Sequence, residues 1–244
     1  MNPMIGRPRT GKGHRVGRVA GWVVLLIYAG LHAFPAILFT HHVSAENVTL
    51  YQRSPVSPAA VQRIAEAVNL TRRSELFTPD ANYRVFLCNN RALFRFFGLF
   101  HGSSYAFSLP LTNHIFVAEA DLERNFARSA AKEYNRRTFA GVLAYEITHV
   151  MIRHSLGVVS AMRLPSWIAE GYSDYVAQES SVPEEEGIPS LLEEKGKSSP
   201  AFNYFVWRKM VQHLMDDEHL TFAQLIERAG DFESVRRETI AALR

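Results

Sequence analysis

Five residues of this chain have the types and spacing that suit metal and proton chemistry. Three lie in Tyr145-Glu146-Ile147-Thr148-His149 and two in Trp167-Ile168-Ala169-Glu170-Gly171-Tyr172-Ser173-Asp174-Tyr175. On a helix, positions 145 and 149 are one turn apart and point the same way, so two donors there grip one ion. Glu146 lies beside them, where a carboxylate reaches an ion-bound water. As general base it takes a proton from that water during attack on a carbonyl, then passes it to the leaving amine. Glu170 arrives from a second helix as a further ligand. Asp174, one turn beyond it, faces the site and is placed to orient a ligand from behind.

Position 145 departs from this scheme. His149 and Glu170 are ordinary zinc donors, but a phenol must lose its proton to bind zinc well, which costs on the order of 4 kcal/mol starting from a pKa of about 10. Its oxygen also sits roughly 2 Å farther from the backbone than an imidazole nitrogen, about one metal–ligand bond length. Phenolate and Glu170 together would cancel the charge of the dication and weaken it as a Lewis acid. Two states follow: Tyr145 is a ligand to a displaced ion, or it plugs the site and bonds to Asp174. Tyr172 and His114 are further candidates, for contact with a substrate or a transition-state oxyanion, and the ordinary alternative for both is packing.

The elements that must position these groups are legible in outline. Ser57-Pro58 opens a helix with the apolar stripe Val61, Ile64, Ala65 and Val68. Residues 82–88, 103–108 and 113–117 have the composition of strands, and 90–97 and 121–125 that of short helical pieces. The spacing predicts a central helix over 138–153 and a second over 166–178, started by Pro165. Residues 201–215, 222–228 and 232–243 follow as helices. Strands first and helices afterwards is an α+β pattern. The polar stretch 181–200, with Glu184-Glu185-Glu186 and Lys195-Gly196-Lys197, is expected to be a flexible loop.

With these motifs in view, residues 139–178 resemble the gluzincin metallopeptidases, the thermolysin-like zincins with a Glu third ligand. They are most similar to the small, membrane-attached bacterial members with a W-x-x-E-G-x-x-x-Y second helix. The resemblance implies a zincin-like domain over 57–180, built from a small sheet, an active-site helix and a Glu helix, with a helical C-terminal part over 201–244. It implies His149 as second His ligand, Glu146 as base, Glu170 as third ligand and Asp174 as orienting acid, with zinc as cofactor. Tyr145 stands where the family has its first His. Two functions are therefore expected: a metallopeptidase, or an inactive pseudopeptidase that binds a peptide or protein partner in the same cleft.

Charge and hydropathy bound the rest. The chain has 244 residues, 27 basic and 24 acidic. Arg7, Arg9, Lys12, Arg15 and Arg18 form a basic tail over 1–18, and without these five the remaining 22 basic residues face 24 acids. No basic excess is left for nucleic acid. Residues 19–40 are almost all apolar and would make a helix of about 33 Å, enough to cross a hydrocarbon core of about 30 Å. The sequence therefore predicts a single-pass membrane anchor, N-terminus cytoplasmic, with residues 41–56 as a stalk and the domain outside. Cleavage near Ala45 to give a secreted protein is the alternative. Cys88 is the only cysteine, so no disulfide within the chain is available. The sequence does not set the oligomeric state.

Overall fold

A computed structural model describes residues 11–99, 101–131, 133–135, 137–193 and 199–244. Arg7 and Arg9 of the basic tail and the Lys195-Gly196-Lys197 run lie outside these residues. The chain divides into two compact units, Met1–Phe39 and Thr40–Arg244.

In the first unit, helix α1 (Gly11–Ala33) is followed by a 3-10 turn at Pro35–Leu38. This corrects the expected membrane span and the single-pass placement drawn from it. Among the described residues, no helix is long and apolar enough to cross a membrane. The reason is Pro35. It disfavours helical backbone at the residue before it, and Phe34 adopts φ −127° and ψ 58°. The apolar part of the helix, from Val19 to Ala33, thus rises only about 22 Å at 1.5 Å per residue.

The second unit is α+β. Its sheet contains β1 (His41–Ala45), β2 (Val48–Gln52), β3 (Tyr83–Leu87), β4 (Ala106–Ser108) and β5 (His114–Val117) in the order β1-β2-β3-β5-β4. β2, β3 and β5 run parallel, while β1 and β4 are antiparallel edges. Residues 41–56 are therefore not a stalk. β1 and β2 form a hairpin on Glu46, whose φ is +51°, and β2 buries Val48, Leu50 and Gln52 in strict alternation. The polar His41, His42 and Ser44 that suggested a linker lie on the exposed edge strand β1.

Helix α2 (Ala59–Thr71) connects parallel β2 and β3, and α3 (Arg91–Phe97), capped by Asn90, precedes β4. Residues 119–128 form a second hairpin, β6 (Glu119–Asp121) and β7 (Phe126–Arg128), in place of the expected helical piece. Helix α4 (Phe139–Leu156) packs Leu143, Ala144, Ile147, Val150 and Met151 into one core with Ile64 and Val68 of α2 and Val85, Leu87 and Ile115 of the sheet. Burying a side chain such as Leu143 contributes about 1.5–3 kcal/mol.

After the short α5 (Val158–Ala161) comes α6 (Ser166–Ala177), then α7 (Glu184–Leu192) and α8 (Pro200–Gln212), a π turn at His213–Asp217, α9 (Phe222–Glu227) and α10 (Phe232–Ala242). Trp167, Ile168, Tyr172 and Val176 of α6 form a second core with Met210, Val211, Leu225 and Val235. Gly171 allows the close crossing of α6 and α8, since a Cβ there would lie 2.6 Å from the Trp207 carbonyl oxygen. The acidic run at 184–186 is the first turn of α7 rather than loop. Carboxylates favour a helix N-terminus, and Glu184 also pairs with Lys209 at 2.6 Å.

Candidate functional site

Helix α4 is started by Thr138, whose hydroxyl accepts a hydrogen bond from the Gly141 N–H at 2.9 Å. Glu179 follows Gln178, the left-handed residue that ends α6. Its carboxylate accepts hydrogen bonds from the Thr138 N–H and hydroxyl, both at 2.7 Å. A side chain at position 141 would collide with that carboxylate, which accounts for Gly141. The start of α4 and the end of α6 are thereby tied together, and the faces carrying 145–149 and 170–174 meet.

They meet in a cleft of about 570 Å³. Tyr145, Glu146, His149 and Arg153 line it from α4, Glu170 and Asp174 from α6, Tyr204 from α8, and Tyr105 with residues 106–108 of β4. His149 Nε2 lies 3.2 Å from Glu170 Oε2, and the Tyr145 hydroxyl donates to the same carboxylate oxygen. The Tyr145 and His149 rings meet edge to face, with centroids 4.6 Å apart. The phenol thus bonds to Glu170, not to Asp174 as one sequence reading has it.

Asp174 is instead paired with Arg137. Its Oδ1 lies 2.9 Å from Arg137 Nη2, with the two side chains only 1% and 7% exposed. Among the described residues, neither Asp174 oxygen nor the Arg137 Nε takes part in a well-directed hydrogen bond. The guanidinium also stands over the Tyr145 ring, 5.2 Å from its centroid.

These contacts set the charges. Burial pushes the Tyr145 hydroxyl well above the usual phenol range, and Glu170, Tyr204, Asp174 and Glu146 add to the rise. Burial also raises Glu146, only partly opposed by His149, Ser108 and Arg153. Burial opposes charge on His149, but Glu170 and Glu146 outweigh it and hold the imidazole above its ordinary value. For Glu170, burial is outweighed by His149 and Tyr145, and the carboxyl lies below its ordinary value. Asp174 is pushed up to about 6 by burial, despite Arg137.

The donors present do not fit the expected zinc. A tetrahedral catalytic site takes three protein ligands and a water. Here His149 and Glu170 supply two, and the third position holds the Tyr145 phenol, which donates a hydrogen bond to Glu170. Among the described residues, no group of three His, Cys, Asp or Glu side chains is arranged to hold a metal ion.

Two candidates lie away from the cleft. Tyr172 is buried in the second core, its hydroxyl 2.9 Å from Ser74 Oγ and its ring against Phe222. His114 sits on the buried strand β5, edge-on to Phe86. In contrast, Arg137, Arg153 and Tyr204 join the cleft without having been singled out in the sequence. Arg153 continues the strip of positions 145 and 149 by one further turn, a spacing that points to it. Arg137 and Tyr204 come from a loop and a distant helix and carry no such signal. No protein-family model matches the chain, and no curated protein does.

Proposed function

We propose that the second unit is a zincin-like pseudopeptidase that binds an extended peptide in its cleft without a metal. The observation that carries this reading is the Tyr145 hydroxyl, which is hydrogen-bonded to the carboxylate oxygen that faces His149. The cleft wall supports it. β4 is an edge strand, and Tyr105 and Leu109 bond back to β5 through Ala118 and His114. Alternation then turns the N–H and C=O groups of Ala106 and Ser108 outwards, where an extended chain can add to the sheet. Aromatic side chains from Tyr105, Tyr134 and Tyr204 line the same space, and suit apolar side chains of such a peptide.

The test is a titration of the chelator-treated full chain with a library of fluorescent peptides. Saturable binding in EDTA that weakens at least about tenfold in Ser104→Trp, which narrows the cleft, is the expected result. Metal-assisted hydrolysis with Glu146 as base is the second reading. It is favoured by the 3.2 Å between His149 Nε2 and Glu170 Oε2, a separation that suits two donors placed about 2.0–2.2 Å from one ion. Stoichiometric zinc in the purified protein, with peptide cleavage abolished by Glu146→Gln, would establish that reading and end the first.

A further inference from the structure

The cleft gathers three carboxylates, Glu146, Glu170 and Asp174, all buried or half-buried. In a metal centre, a dication balances such a set. Here the balance comes from side chains. Arg153 interacts with Glu146, His149 lies against Glu170, and Arg137 pairs with Asp174. Arg137 is the group with no counterpart in the scheme of two helices holding an ion. It enters from the residue before the Thr138 cap, is 93% buried by side chain, and stands over the ring of Tyr145. A permanently charged guanidinium at that point repels a dication placed between His149 and Glu170. Asp174 provides the second sign. Its carboxylate is buried with no well-directed donor, and the phenol at position 145 donates to Glu170 instead. An imidazole at 145 is shorter and carries a ring N–H that suits this acceptor.

We infer that Tyr145 and Arg137 act as a pair in place of a divalent cation, the phenol filling the ion's position and the guanidinium supplying its charge. Arg137 is then a positioning residue, and metal binding is blocked twice over. The inference rests on the metal-free reading above, but goes further in saying that replacing Tyr145 alone does not reopen the site.

The experiment compares zinc binding by the full chain, by Tyr145→His and by Tyr145→His/Arg137→Gln. Elemental analysis gives the stoichiometry, competition with a chelating dye gives the affinity, and circular dichroism checks folding. The original chain is expected to hold no stoichiometric zinc. Tyr145→His should bind weakly, and the double variant one zinc at least about tenfold more tightly, as removal of a nearby like charge requires. Should the double variant fail to fold, Tyr145→His/Arg137→Met keeps Asp174 and fills the guanidinium's space with an uncharged chain, and the same tenfold gain over Tyr145→His is required. Equal affinity with and without Arg137 would overturn the inference while leaving the binding cleft intact. So would folded variants that take up no zinc at all. Stoichiometric zinc in the original chain would instead defeat the metal-free reading itself, and the inference with it.

Discussion

Glu170 and Asp174 sit one turn apart on α6, face the same cleft and each touch a basic side chain, yet they end in different electrostatic states. Glu170 keeps 24% of its side chain exposed, accepts hydrogen bonds from His149 and Tyr145, and has its pKa lowered. Asp174 is 1% exposed, has a guanidinium 2.9 Å away but no well-directed donor, and is raised to about 6. Nearness of positive charge does not by itself offset what burial does to a carboxyl. Directed hydrogen bonds and some remaining water do.

Removing one member of the buried pair gives the largest expected effect. Asp174→Ala leaves Arg137 uncompensated and should cost about 3–5 kcal/mol in urea unfolding. Arg137→Met/Asp174→Leu removes both charges and should cost less than that single change. Equal costs would mean that the pair is no pair. Next comes Gly171→Ala, between the two acids. Its Cβ would press on the Trp207 backbone, push α6 off α8 and cost about 1–3 kcal/mol. Glu170→Gln is milder, at about 1 kcal/mol, because its neighbours keep some access to water. It also bears on pH. Since the folded state raises His149, the contribution of its protonated form is present below the unfolded value of about 6.5 and is lost as pH rises through the higher folded value. Glu170→Gln should flatten that dependence, followed by an NMR titration of His149. The smallest effect is a control. Burial holds the Cys88 thiol at about 12, so a thiol reagent at pH 8 should label it only after unfolding. Unchanged protection of Cys88 in the α6 variants would show that the sheet survives their substitution.

The helices that carry the site were legible because their apolar spacing and their start signals agree. Thr138 and Pro165 fall at the starts of α4 and α6, and Thr221 forms a full capping box on α9. What was not legible depends on long-range pairing. The β1–β2 hairpin has a polar edge strand that resembles a linker until β3 pairs with its inner strand. The 19–40 segment is apolar throughout, but one proline divides it. At the site, spacing along two helices found Tyr145, Glu146, His149, Glu170 and Asp174, all of which line the cleft. It missed Arg137 and Tyr204 because a partner brought from another part of the chain leaves no periodic trace. It misplaced Tyr172 because one helix has two faces, and that ring turns to Ser74 and Phe222.

The Glu179 clamp on Thr138 has a mechanical consequence. Its carboxylate satisfies donors at the first turn of α4 from a backbone that has just left α6. Fraying at either end therefore strips hydrogen bonds from the other, and the two helices should exchange their amide protons as one cooperative unit. Glu179→Ala should uncouple them, letting the first turn of α4 exchange early while the middle of α6 stays protected. A ligand seated across both helices would then slow exchange at ends of the helices that it never touches.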